Sequence, residues 1–323
     1  MLVDASTLPV PVDAGPVSQV GVAGITATTS DLYYAVSALM AGLPGRFLGG
    51  SFMRVPLGGG PSTLVASADL FVNRPVLTAT RLIVTASNPD GYSIISVPLA
   101  GGPPTTVLKL PTEVAVGNGL ATDGTYVYFA GMGRVPSVQA VALPADSGSP
   151  PTMTLIAATG VQVPDGLTVL GQQLIVALSQ GGIESVPLPP RPNSPVTMLA
   201  DCGRAAWAGY KGFFACGSNA CWLDDDGTLN EISPSGNVAT KIPAQTGPLG
   251  SPFDVAFDGT SFFMMGSRGL VRFPADGGDP VILVNTPNTA SSAAVAVDDE
   301  CVYWSNPQGI FSLAKVAQGS ILQ

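Results

Sequence analysis

The sequence predicts an all-β fold, a closed ring of seven four-stranded antiparallel units, on three observations. Glycine and proline make up 69 of the 323 residues (39 and 30), a density at which long helices do not persist. A bulky apolar pair ending a β-rich run recurs along the whole chain. Each recurrence carries the same order of short strand-like runs and turns. The hydrophobic share is 46% and the glycines lack a three-residue period, so neither disorder nor collagen fits.

Each unit reads as four strands, A to D. Strand A is a short apolar run ending in an Asp-rich turn, as in GLATDGT (119–125), DVAFDGT (254–260) and AVAVDDE (294–300). Asp-Gly between β-rich runs is a tight-hairpin signal. Strand B carries the bulky pair: LYY (32–34), LIV (82–84), VYF (127–129), LIV (174–176), GFF (212–214), SFF (261–263) and VYW (302–304). Their third residues, Tyr34, Val84, Phe129, Val176, Phe214, Phe263 and Trp304, are spaced by 50, 45, 47, 38, 49 and 41. Strand C ends in a proline-glycine turn: MRVPLGGGP (53–61), ISVPLAGGPP (95–104), VALPADSGSPP (141–151) and ESVPLPP (184–190). Weaker copies are EISPSG (231–236), RFPADGGDP (272–280) and FSLAK (311–315). Strand D is a brief apolar run such as TLVAS, TTVLK or VILVN.

Four strands per 40–50-residue repeat is the pattern of a β-propeller blade. The seventh unit stops after strand C, near Val316, and MLVDAS at 1–6 resembles TLVAS at 63–67. The N-terminus is therefore expected to supply the last strand D and close the ring, removing an exposed edge. The expected organisation is one domain over 1–323. Its blades lie near 20–66, 75–109, 115–157, 163–201, 203–244, 252–285, and 292–318 with 1–6; six blades is the alternative.

The run DECVYWSNPQGIFSLAK (299–315) resembles the repeats of YWTD-type and TolB-like propellers. It is most similar to a group of bacterial extracellular propeller proteins, frequent in myxobacteria, whose units combine VYW-[TS]-N with VPL-x-GG-x-P. The resemblance implies a propeller in an extracellular setting. Tyr303-Trp304-Ser305-Asn306 is its fullest match.

Charge and composition narrow the function. Lys and Arg number 13 against 22 Asp and Glu, net −9, which disfavours nucleic acid and anionic membranes. No apolar run reaches 18 residues, so no membrane span is expected. Histidine is absent, which excludes Ser-His-Asp and Cys-His catalysis and His-ligated metals. Only 11% of residues are charged, as is common in secreted proteins. The start MLVDASTLPVPVDAGP lacks a signal-peptide layout. The expected location is secreted, periplasmic or cell-surface, with the export signal outside this sequence. A monomer is expected.

The A–B and C–D turns are regular, so that face reads as structural. The opposite, top face carries the B–C and D–A loops. Two of these read as extended: Ala38–Gly50 and Cys216–Thr228. They make Arg46, Phe47 and Trp222 candidate ligand contacts for a protein or a glycan, with Asn118 at the channel mouth beside them; for Trp222, core or lid packing is the plainer reading. Asp224, Asp225 and Asp226 before Gly227 could take a hard cation, calcium being the ion such a turn would hold, although solvated turn residues are the plainer reading. Arg74, Glu113, Asn118, Asp165, Arg204 and Asp254 are expected near the channel mouth. Asp165 and Asp254 would be the carboxylate pair if the protein were a glycoside hydrolase or lyase; ion pairing within the channel is the alternative. A non-enzymatic binding scaffold is the leading function. Cys216–Cys221 or a bridge to Cys202 would staple blade five, the first being preferred, and Cys301 is expected to be a buried free thiol. Zinc is not expected, because Cys-x4-Cys lacks a fourth partner and the usual spacing.

Overall fold

The computed structural model describes residues 3–4, 17–40, 47–68, 70–71, 75–88, 90–110, 115–132, 136–143, 153–158, 162–192, 194–202, 213–224, 226–243, 250–285, 294–306 and 308–315, those at 3–4, 17–21, 23, 37–40, 47–49, 70–71, 88, 115–118, 132 and 156–158 by backbone alone. These residues form seven antiparallel sheets arranged as a seven-bladed propeller. Blade one is Val17–Ala27, Asp31–Met40, Phe47–Pro56 and Thr63–Ala68, in the order A to D. Blade two has a divided strand A, Leu70–Phe71 and Val76–Leu77, followed by Arg81–Asn88, Gly91–Pro98 and Thr105–Leu110. Blade three is Ala115–Thr122, Tyr126–Met132, Pro136–Ala142 and Met153–Ala158. Blade four is Pro164–Leu170, Gln173–Leu178, Gly182–Pro187 and Thr197–Asp201. Blade five is Phe213–Cys216, Asn219–Leu223, Leu229–Ile232 and Val238–Ile242, and blade six is Pro252–Phe257, Ser261–Gly266, Gly269–Pro274 and Val281–Val284.

Blade seven takes Val295–Val297, Cys301–Asn306 and Gly309–Ala314 from the C-terminal end of the chain and Val3–Asp4 from the other. Val3 pairs with Ile310 and Asp4 with Gly309, so the N-terminal strand closes the ring.

Among the described residues the core consists of seven apolar clusters, each shared by two neighbouring blades. Side chains alternate across each strand, so one strand B serves two interfaces. Tyr33 packs with Leu82 and Val84 of blade two, whereas Tyr34 packs with Tyr303 and Ile310 of blade seven. Both tyrosines are fully buried. Each such side chain contributes about 1.5–3 kcal/mol by leaving water.

The inner turns explain the Asp-Gly-Thr signature. Asp123 Oδ1 accepts bonds from the Thr125 and Tyr126 amides, at 2.8 and 2.7 Å. Its Oδ2 accepts the Tyr128 hydroxyl at 2.6 Å. Asp298 repeats the arrangement with Glu300, Cys301 and Tyr303. Burial and the nearby carboxylate hold both phenols well above the ordinary tyrosine range. In blades one and two the hydroxyls of Thr28 and Thr78 replace the carboxylate as acceptors. Gly124 sits at φ 87°, which an L side chain rarely adopts.

Blade five departs from the sequence expectation. The GFF run does not form strand B: Phe213 and Phe214 lie in the inner strand. Strand B is Asn219–Leu223, where Trp222 opposite Phe213 repeats the placing of Trp304 opposite Val295. In blade six the same place falls to Met264 rather than Phe263. The matching positions 34, 84, 129, 176, 222, 264 and 304 are then spaced by 50, 45, 47, 46, 42 and 40, smoother than the sequence pattern indicated. The supposed extended loop at 216–228 resolves into a two-residue turn, a strand and a short B–C turn.

A salt bridge ties blades six and seven: Lys315 Nζ lies 2.9 Å from Asp258 Oδ2. Lys315 also sits 5.9 Å over the Phe263 ring. Burial raises the Asp258 carboxyl, but the bonds from Lys315, Thr260 and Ser261 outweigh it and hold the group at about 2. A depressed carboxyl stabilises the fold above its unfolded value, near 3.8, and loses that contribution as pH falls through its folded value. Asp258→Asn is therefore expected to lower the melting temperature at pH 7, with the gap to wild type narrowing between about pH 4 and 2; thermal melts across that range check this. Separately, Gly269 has φ 141°, and a Cβ there would run into the Val284 carbonyl oxygen. Gly269→Ala should cost at least about 2 kcal/mol in denaturant unfolding.

Candidate functional site

The inner strands crowd around the ring axis. A Cβ on Gly119 would meet Leu167 Cγ at 2.8 Å, and one on Gly166 would meet Phe213 Cβ at 2.5 Å. Glycine at these two points lets three successive inner strands approach. At the A–B end the channel opens into a cavity of about 210 Å³. It is lined by Ile25, Thr26 and Ala27 of blade one, Phe214 of blade five, Val255–Phe257 of blade six, and Ala296 and Val297 of blade seven. Thr26 carries the one polar side chain among these lining residues; its hydroxyl donates to the Pro75 carbonyl at 3.1 Å, and Phe257 stacks on Phe262. This mouth is not among the sequence-predicted sites, because uniform turns carry a weaker recognition signal than variable loops. The alternating runs ITA, VAF and AVAV just before those turns were the available signal.

The predicted channel carboxylates are placed at the other end. Asp165 is half-buried at the start of the inner strand of blade four, where the ladder slips between Pro164 and Gly166. Asp254 lies in the inner strand of blade six. The two strands are separated by the inner strand of blade five. Asp254 Oδ2 accepts the Val295 amide of blade seven at 2.8 Å, and Oδ1 accepts its own neighbour's amide, Val255, at 2.9 Å. Its carboxylate thus bridges two inner strands. Among the described carboxyls, burial pushes Glu184 upward, but it lies on strand C of blade four and not on an inner strand. Arg46, Arg74, Glu113, Arg204 and Asp225 fall outside the described residues, and Phe47 and Asn118 are placed by backbone only, in strand C of blade one and strand A of blade three.

Trp222 is buried at 2% exposure between blades four and five, beside Ile175 and Ile183, so it belongs to the core and not to a ligand surface. In the acidic turn after it, Asp224 Oδ2 accepts from Asn230 at 2.8 Å and Asp226 Oδ1 accepts the Thr228 amide at 2.8 Å. Those two oxygens close the B–C turn. In blade one the strands extend well into the predicted loop, with Ala38 opposite Gly49 and Leu39 opposite Phe47.

Cys216 and Cys221 are joined by a disulfide between strands A and B of blade five. Cys202 and Cys301 are free and half-buried. Burial, then the charges of Asp201 and Asp224, raise the Cys202 thiol. The disulfide lies next to Glu231, which pairs with Cys221 across strands B and C. That acidic neighbour was not singled out from the sequence.

No protein-family model and no curated protein matches the chain. Solved structures do. An oligogalacturonate lyase in complex with manganese superposes with a TM-score of 0.63 at 11% identity, over 90% of this chain and 86% of that one. The WD40 β-propeller domain of Doa1 gives 0.60 at 12%, over 94% and 95%. BamB from Moraxella catarrhalis gives 0.53 at 14%, over 99% and 97%. A prolyl endopeptidase gives 0.58 at 16%, and this chain spans about half of its length (47%). The likeness is one of fold. At such identities no activity transfers between these proteins.

The Asp254 bridge has a stability consequence. Asp254→Ala would remove the carboxylate bonds to the Val255 and Val295 amides and should cost about 1–3 kcal/mol in equilibrium unfolding. Asp254→Asn, which keeps an acceptor oxygen, should cost less.

Proposed function

We propose that the chain is a non-enzymatic binding scaffold that holds a protein or glycan ligand on the face carrying its D–A and B–C loops. One observation carries the reading. Every A–B connection is two or three residues long, whereas the described strands D and A are separated by a number of residues that ranges from one, between blades one and two, to twelve, between the closing strand and blade one. Variable loops on a uniform frame are how rigid scaffolds usually carry recognition. The bonding of Asp254 supports the non-enzymatic form, because its two oxygens are taken up by the Val255 and Val295 amides. The disulfide fits an oxidising compartment, as expected for an exported protein.

A thermal-shift screen of the purified chain tests this, with oligosaccharides including oligogalacturonate, and with calcium before and after EDTA. A ligand at 100 times its dissociation constant stabilises by about 2.7 kcal/mol, a shift of several degrees. A sugar shift that disappears when residues 203–212 are replaced by a short Gly-Ser link, with the unliganded melting point kept, supports the reading. Turnover of the sugar, lost in Asp165→Asn, would overturn it in favour of a carboxylate enzyme. A calcium shift removed by Asp225→Ala would assign a cation to the blade-five turn.

A further inference from the structure

We propose that Cys216, Cys221 and Glu231 form a redox-gated site for a soft divalent metal ion, closed while the cysteines are a disulfide and opened by their reduction. The two sulfurs and a Glu231 carboxylate oxygen all lie within 4.8 Å of one another. Three adjacent strands supply them. Cys216 ends strand A, Cys221 lies in strand B, and Glu231 faces Cys221 from strand C. Cross-strand partners share a face of the sheet, so the three side chains converge by register.

The ladder makes this set independent of the bridge. Phe213 pairs with Trp222 and Cys216 with Asn219 through the backbone ladder, which does not run through the sulfurs. A cross-link between residues five apart, in a hairpin already paired, closes a short loop and restrains the unfolded chain least. Reduction should therefore leave the three strands paired while the two sulfurs move apart on the same face of the sheet.

The surroundings suit a metal. Asn219 Nδ2 donates to Glu231 Oε2 at 3.0 Å, and Lys241 Nζ lies 3.3 Å from Oε1, so the carboxylate is oriented by outer partners in the manner of a ligating group. The Asn219 carbonyl oxygen lies 3.5 Å from Cys216 Sγ, available with water to complete the coordination. Two thiolates, one carboxylate, the Lys241 ammonium and a divalent ion sum to zero charge. Thiolate ligands select zinc-like ions over calcium or magnesium.

The gating step balances with a dithiol reductant. One of its thiolates attacks a cysteine sulfur, the Cys216–Cys221 bond breaks, and its second sulfur releases the mixed disulfide. The reductant leaves as a cyclic disulfide. Two electrons and two protons are left on the cysteines. The metal ion then displaces both protons and forms two metal–sulfur bonds.

The test uses the full chain, reduced with excess dithiol, desalted without oxygen and titrated with Co²⁺. The reduced protein should develop thiolate-to-cobalt absorption saturating at one equivalent, and the oxidised protein none. Cys202→Ser/Cys301→Ser should behave as wild type. Glu231→Gln should keep the absorption but weaken binding by about tenfold or more. No absorption in the reduced wild type, or unchanged affinity in Glu231→Gln, would overturn the proposal. Absorption lost in Cys202→Ser/Cys301→Ser would overturn it too. The comparison of oxidised and reduced wild type decides even if Cys216→Ser/Cys221→Ser fails to fold.

Discussion

The structure depends on the inner hairpin of each blade being closed tightly enough for its strand A to join the ring. Side-chain oxygens do this in five blades. Asp123, Asp258 and Asp298, and the hydroxyls of Thr28 and Thr78, each accept two backbone amides of a three-residue turn. The geometry satisfies turn amides that the ladder cannot reach, at exposed or part-buried positions where each bond contributes about 0.5–1.5 kcal/mol. Blades four and five use two-residue turns instead, with Gly171 and Gly217 at φ 56° and 69°. In blade five the disulfide stands directly beside that turn, a covalent clasp where other blades have an oxygen.

Once the inner hairpins are fixed, ring formation follows from alternation. Each blade presents one apolar face forward and one backward, and the last face can be buried only against the first. Blade one is thus packed on blade seven through Tyr34, Tyr303 and Ile310, across the junction where the two ends of the chain meet. The short pairing of Val3 and Asp4 is then one contribution among several to closure. The Lys315–Asp258 pair adds a polar tie between blades six and seven, next to that junction in sequence.

The repeat was legible because turn chemistry and apolar alternation are local signals. The Asp-Gly-Thr turns, the bulky pairs and the N-terminal closing strand could all be read from residue order. Blade five was misread for a physical reason. Its inner strand carries two phenylalanines, so a bulky pair alone could not tell strand A from strand B. The deciding fact was Trp222 lying opposite Phe213 in the place of Trp304, which is a matter of register and not of composition. By that register Trp222 joins the core, the plainer of its two sequence readings. Asp254 was correctly placed on an inner strand, but its role is set by the Val295 amide, forty-one residues away, and no local pattern carries that.

The division between repeating and non-repeating parts bears on where chemistry can reside. A residue that recurs in every blade is held by ring closure, since altering it loosens an interface that the closed ring requires. The alternating core positions and turn acceptors are of this kind, and they leave little freedom for a specific ligand. Freedom lies where blades differ: in the D–A connections, and in blade five, where a disulfide replaces the turn acceptor and a carboxylate stands beside it. Because the ladder already holds strands A and B together there, the sulfurs are not needed for pairing, and chemistry at that point can change without opening the ring.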